Sequence, residues 1–272
     1  MPVLLISRGT MSGVTLLVQR LAECTGFGCV AREDLVAVVN RHGELAHRIV
    51  ERLGNPAQGY EQLCALRRPY VSLMRAALLE YASRDNLIYH GYSGHLLLPP
   101  IHHFLRIRIH APTDLRVRMT MERLRCTEEE ARTHITNDDE ARVRWARFMY
   151  GSDIRDPALY DVCLNLAHLS VETACNLLCA LEGDAECQAS AESVARVERL
   201  LLASRVEAAI ATDARTAGIE ASAEVADGKV TVIGPYVDDT TRDAAVAIAS
   251  EVEGVREAEY RYGFAPAFGA WA

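Results

Sequence analysis

The sequence has almost no lysine: of its 29 basic residues, only Lys229 is not an arginine. An anion bound elsewhere in the chain must be met by arginine, backbone amides or helix N-termini. No apolar run reaches the roughly 18 to 20 residues that span a bilayer, and the opening MPVLLISRGT lacks a basic region followed by a long apolar one. Neither membrane insertion nor secretion is expected. A basic stripe interleaved with aromatics is also missing, and with an isoelectric point near 5.6 nucleic-acid binding is disfavoured. The eight cysteines (Cys24, Cys29, Cys64, Cys126, Cys163, Cys175, Cys179 and Cys187) form no CxxC pair and lie mostly in apolar stretches. They read as small buried residues of a reducing, cytoplasmic compartment. Cys175 and Cys179 share a helix face at i, i+4, which suits core packing better than zinc, whose ligand spacing is missing. His90, His95, His102 and His103 also lack ligand spacing and an accompanying carboxylate pair. No Gly-x-Ser-x-Gly elbow occurs, so a Ser/His/Asp nucleophile is unsupported.

What is present suits a globular chain with a sizeable core: 272 residues, 50% hydrophobic and 24% charged, with mean hydropathy +0.01. Charge is unevenly spread. Residues 186–272 hold 8 basic and 15 acidic side chains, a net charge of −7, against 21 and 22 in residues 1–185. The run Val3-Leu4-Leu5-Ile6 leads into Ser7-Arg8-Gly9-Thr10-Met11-Ser12-Gly13, after which Leu16, Leu17, Arg20 and Leu21 fall at helical spacing. This predicts strand, small-residue loop, helix. Further buried strands are expected at 86–90, 104–109 and 160–164, with helices at about 34–53, 57–83, 113–124, 127–149 and 170–182. Such alternation predicts an α/β domain with a parallel sheet covered on both faces. The small polar stretch at 182–190 marks a boundary, giving domains 1–185 and 186–272. In the second, a helix near 192–216 precedes an alternating strand at 219–225, a hairpin turn at Asp227-Gly228, a returning strand at 229–233, a helix carrying Ala245, Ile248 and Ala249, and a third strand at 255–261. This predicts a small α+β module with one covered sheet face.

A glycine-containing turn between a first strand and a helix presents amides and a positive dipole end to phosphate. The loop at 7–13 is not a full Walker A, however: with Gly13 as the second glycine, Arg8 takes the first glycine's place, Val14 the lysine's and Thr15 the hydroxyl's. The pattern alone leaves a phosphate site and an ordinary strand-to-helix turn equally open. Likewise Arg142, Arg144 and Arg147 fit a solvated helix face, with Glu140 and Arg144 paired at i, i+4.

The Ser7-Arg8 ending, the Ser12-Gly13 turn, Arg32-Glu33 after a second short strand, and a distal series together resemble the cytidylate-kinase-like P-loop family. The distal series runs from Ala111-Pro112 through Glu128-Glu129-Glu130-Ala131, Asp139, Arg142, Tyr150-Gly151, Asp156-Pro157, Leu159-Tyr160-Asp161 and Asn165 to Leu169-Ser170. The resemblance covers roughly residues 1–183. It implies ATP at Ser7, Arg8, Gly9, Ser12, Gly13, Val14, Thr15 and Arg116, although Arg116 also reads as half of a structural ion pair. It further implies Mg²⁺ at Thr15, a nucleoside monophosphate or related acceptor at Arg32, Tyr92 and Asp139, and a mobile lid whose Arg142, Arg144 and Arg147 neutralise the transferring phosphoryl group. The chain departs from the family pattern at Met11 in place of a glycine, Thr15 in place of an arginine, Ala31 in place of an aspartate and Tyr92 in place of an arginine. The departures at Met11, Ala31 and Tyr92 raise the competing expectation of a nucleotide-sensing or scaffold protein without turnover, whereas Thr15 restores a hydroxyl that could reach Mg²⁺. The tail resembles a BON domain, through Val225-Ala-Asp-Gly228-Lys-Val230-Thr-Val232-Ile-Gly234 and Glu253-Gly254-Val255. Such domains are associated with phospholipid contact, but a tail of net −7 is repelled by anionic lipid. The resemblance therefore implies protein contact or self-association.

Overall fold

The structure is a computed structural model that describes residues 2–54, 63–84, 86–216 and 218–264. Two compact units emerge. The first comprises residues 1–32 and 84–190, the second 33–83 and 191–271.

In the first unit, strands β1 (Val3–Arg8), β2 (Gly28–Ala31), β3 (Leu87–Gly91), β4 (Phe104–His110) and β5 (Val162–Asn165) form a sheet in the order β2-β3-β1-β4-β5. Every neighbouring pair is parallel. Three of the runs predicted for a buried parallel sheet are its central strands β3, β1 and β4, whereas the one expected at 160–164 is the half-exposed edge strand β5. Helices α1 (Val14–Thr25) and α7 (Val171–Glu182) share a core with Leu4, Ile6, Ile88, Ile107 and Ile109, through Leu17, Leu21, Ala174 and Leu178. Each fully buried leucine or isoleucine contributes about 1.5–3 kcal/mol, which fixes where α1 begins relative to β1. Helices α5 (Thr113–Leu124) and α6 (Glu128–Tyr150) pack through Val117, Ala131 and Ile135. The start of α6 is set by a reciprocal capping box of Thr127 and Glu130.

The second unit holds α2 (Arg32–Val39), whose first residue belongs to the first unit, with α3 (Glu44–Gly54), α4 (Cys64–Ala82), α8 (Ala191–Thr212), β6 (Ser222–Ala226), β7 (Lys229–Gly234), α9 (Asp239–Glu251) and β8 (Glu257–Tyr262). Strands β6 and β7 form the predicted hairpin, with Asp227 at φ 48° and Gly228 at φ 77°. Strand β8 adds parallel to β7 after α9. Val206 and Ile210 of α8, Val230 and Val232 of β7, and Ile248 of α9 form one core. Glu207 joins three elements, because Ser72 Oγ of α4 and the amide of Ala223 on β6 both donate to it (3.1 Å each). The Arg75 guanidinium lies 3.7 Å from the same carboxylate.

Several boundaries differ from expectation. The single helix expected at 34–53 is two, α2 and α3, because Gly43 at φ 98° ends the turn between them. Of the helix expected at 57–83, residues 57–62 lie outside the described residues. The boundary expected at 185/186 falls between α7 and α8, but residues 33–83 group with the tail because α4 packs along α8. The cysteines also differ. Only Cys175 is buried, whereas Cys24, Cys29, Cys64 and Cys163 are exposed. Helical and edge-strand positions that look apolar by neighbourhood can still face water. Among the described residues, no helix is long and apolar enough to cross a membrane.

Candidate functional site

The parallel register sets Ser7 of β1 between Gly91 of β3 and Arg108 of β4, at the carboxyl edge of the sheet. In open α/β sheets this edge is where ligands bind. Of the loop predicted at 7–13, Ser7 and Arg8 end β1 and the turn itself runs over 9–13. Met11 sits at φ 51° and Gly13 at φ 76°. At Gly13 the added Cβ would meet nothing closer than Leu166 Cδ1 at 3.9 Å, so the backbone angle, not space, is what calls for glycine. Gly13 is the N-cap of α1 and offers no side-chain cap. The first amides of the helix are therefore available to an anion. Ser12 Oγ is buried there without a hydrogen-bond partner.

The loop is held from α5 and α6. Arg116 Nε donates to the Thr10 carbonyl (2.6 Å) and its Nη2 to Asp139 Oδ2 (2.7 Å). Asp139 Oδ1 accepts from the Thr10 amide (3.2 Å), and Asp138 Oδ2 from Thr10 Oγ1 (2.8 Å). Arg142 donates to that same Asp138 oxygen (3.1 Å). Its guanidinium lies 5.4 Å from the Tyr92 ring centroid, and that of Arg32 lies 5.8 Å from the same ring. Arg32, Tyr92, Asp139, Arg116 and Arg142 thus surround one end of the loop. The other two arginines expected in a lid point to different partners. Arg144 makes the expected i, i+4 pair with Glu140 (3.4 Å), and Arg147 pairs with Asp153 (2.7 Å). Asp153 is held well below the usual carboxylate range, chiefly by hydrogen bonds from Arg155. A cavity of about 520 Å³ between α5 and α6 is lined by Arg116, Asp139, Arg144, Arg147 and Arg155.

A second cavity, about 570 Å³, opens at the start of α1. Arg8, Gly13 and Thr15 line its polar side and Leu115, Met119 and Leu166 its apolar side. That volume and mixed lining suit a small organic ligand. Val14, in the lysine's place, is buried and serves the core.

The sequence reading missed Arg108. It is 8% exposed, its Nη1 donates to Ser7 Oγ (2.9 Å), and its Nε is buried without a partner. Its guanidinium lies 5.8 Å from the Tyr160 ring centroid. Tyr160 in turn donates to the Ile154 carbonyl (2.7 Å) and packs against the His95 ring at a 42° tilt. Burial, then Arg108 and Arg106, push His95 down to about 3, so its ring is neutral. Two residues earlier on the same strand face, Arg106 meets Asp161 at 2.6 Å. Arg108 has no carboxylate partner among the described residues. Arginines alternating with apolar residues inside a buried strand, Phe104-Leu105-Arg106-Ile107-Arg108-Ile109, were the available signal. Among the described residues no histidine cluster with metal-ligand geometry occurs.

Comparison with known proteins finds no match among curated proteins. Among solved structures, an uncharacterized protein from Eubacterium ventriosum ATCC 27560 superposes with a TM-score of 0.51 at 17% identity, covering 67% of this chain and 98% of its own. Shikimate kinase from Bacteroides thetaiotaomicron gives 0.40 at 11% identity, over 65% of this chain and 96% of its own. The first of these supports the fold of the parallel-sheet unit. The family described as cytidylate kinase-like matches residues 3–168, a stretch that contains β1, the loop, Arg108, the Asp138–Asp139 pair and Arg142, Arg144 and Arg147. By that match, the chain belongs to the cytidylate kinase-like family.

Proposed function

We propose that the chain transfers the γ-phosphoryl group of ATP to a nucleoside monophosphate or a related small acceptor. One observation carries this reading: a buried arginine without a carboxylate partner, Arg108, stands at the root of a loop that ends in an uncapped helix N-terminus. Both features are stabilised by an anion. The residues fit a triphosphate. The orphaned Ser12 hydroxyl and the amides at Gly13, Val14 and Thr15 would hold its phosphates, and the apolar wall at Leu115 and Met119 would hold the base. Ser7, Arg8, Gly9 and Arg116 would shape or neutralise the loop. Arg32, Tyr92 and Asp139 would meet the acceptor. Thr15, in the second position of α1, would hold Mg²⁺, which would supply charge neutralisation for the phosphates. Arg142 would stabilise charge on the transferring group, with Arg144 and Arg147, held by Glu140 and Asp153, adding less on lid closure. The tail, residues 186–272, is proposed as a linker helix and BON-like module acting through protein contact or self-association. Its exposed Tyr236, Tyr262 and Phe264 support contact.

A second reading, a nucleotide sensor without turnover, is favoured by the Thr10 amide, which is already bonded to Asp139, and by Met11 held at positive φ. Calorimetric titration with Mg·ATP and a coupled assay against a panel of monophosphates separate the two. Binding with turnover is expected, and Gly13→Asp should remove binding by placing a carboxylate at the helix N-terminus. Absence of ATP binding overturns both readings. Binding without turnover across the panel favours the sensor.

A further inference from the structure

The fold brings together three thiols that the sequence keeps far apart. Cys24 lies in the last turn of α1, and Cys175 and Cys179 lie one turn apart on α7. Their sulfur atoms all fall within 4.8 Å of one another, with Cys179 Sγ 3.0 Å from Cys24 Sγ. We propose that Cys24, Cys175 and Cys179 form a three-thiolate site for a thiophilic d¹⁰ cation of the Zn²⁺ or Cd²⁺ type.

The geometry asks little adjustment. With metal–sulfur bonds of about 2.3 Å, two sulfurs on one tetrahedral ion stand about 3.8 Å apart, within the span the three atoms already occupy. Core packing alone gives no reason for three sulfurs to converge on one point, since methyl groups fill such space equally well. The donor set is all sulfur, which selects soft cations over Mg²⁺ or Ca²⁺. Access is also present: Cys175 is buried, Cys179 half-buried and Cys24 exposed, so an ion can enter from the Cys24 side. A divalent cation displaces the thiol protons as it binds. Three S–H bonds give three metal–sulfur bonds, three protons pass to solvent, and water takes the fourth position. The site then carries net charge −1.

Binding would fasten the end of α1 to α7. Cys24 is ten residues beyond Val14, about 15 Å along the helix from the loop. The ion would therefore act on the stability of this helix pair and would take no part in chemistry at the loop. The proposal is independent of the kinase reading.

The test uses the reduced, full-length chain freed of metal and titrated with Cd²⁺ under anaerobic conditions, with the ultraviolet thiolate-to-cadmium absorption as the signal and Zn²⁺ competition as the second arm. One equivalent of Cd²⁺ is expected to saturate the band and Zn²⁺ to displace it. Cys24→Ser, Cys175→Ser and Cys179→Ser should each lose the band, whereas Cys163→Ser, at an exposed thiol outside the cluster, should keep it. Circular dichroism on each variant separates a lost ligand from a lost fold. The unmodified chain decides the matter even if a variant fails to fold. No band at one equivalent, or a band that survives in all three variants of a folded chain, overturns the site.

Discussion

Replacing Arg108 by methionine should make the ligand-free protein more stable while removing its response to nucleotide. Methionine fills much of the same space without the charge. The buried guanidinium donates to Ser7 Oγ at 2.9 Å and has no carboxylate partner among the described residues. Desolvating an ion costs several kcal/mol, and one hydrogen bond to a charged group returns about 1.5–3 kcal/mol. Ser7 is not orphaned by the change, because its hydroxyl still donates to the Tyr92 carbonyl at 3.2 Å and faces the Tyr160 hydroxyl at 3.3 Å. The net expectation is a gain of about 1–2 kcal/mol for Arg108→Met without ligand. The native chain should regain the difference on binding, since a ligand at about 100 times its dissociation constant adds about 2.7 kcal/mol. Urea unfolding followed by circular dichroism, with and without Mg·ATP, measures both arms. A variant that loses more than about 1 kcal/mol without ligand, or that nucleotide stabilises as strongly as the native chain, would refute the assignment of Arg108 as an anion-binding cation.

Three further outcomes follow from the geometry. Arg142→Ala should lower the catalytic constant by about 10²–10³, as loss of a charge-stabilising donor does. Arg147→Ala should change it far less, because Arg147 is exposed and bound to Asp153; equal effects in steady-state kinetics would contradict this division. Stability should fall as pH drops from 6.5 toward 3, because His95 stays neutral in the folded chain but takes up a proton when unfolded. The slope from this one group is at most about 1.4 kcal/mol per pH unit, and His95→Phe should flatten the curve of unfolding free energy against pH. Finally, Glu207→Ala should destabilise the second unit by about 3–5 kcal/mol, because it removes one member of a buried ion pair and the acceptor of both Ser72 Oγ and the Ala223 amide. The fragment 1–188, which lacks α8 and Glu207, should for the same reason aggregate when expressed alone. A soluble, cooperatively unfolding fragment would show that α4 needs no partner from the tail.

The sequence by itself determined the elements, because hydrophobic period is a local property. Val3 to Ile6 could only be a buried strand, Leu16 to Leu21 a helix face, and Asp227-Gly228 a hairpin turn whose two positive φ angles few other pairs adopt. It also determined the loop, since Ser12-Gly13 between strand and helix is contiguous in the chain. What it left undecided are the features made by residues distant in sequence. Arg108 reaches Ser7 across 101 positions, through the parallel register of two strands that no local pattern specifies. Asp138 and Asp139 look like part of a solvated helix until α6 is laid against the loop, where one binds the Thr10 hydroxyl and the other its amide. Cys24 and Cys179, 155 positions apart, meet only because α1 and α7 pack on the same face of the sheet. The assignment of 33–83 to the tail's unit has the same origin. An amphipathic helix such as α4 states that it needs a partner, but only the folded chain selects α8, through Glu207 and the buried groups that converge on it.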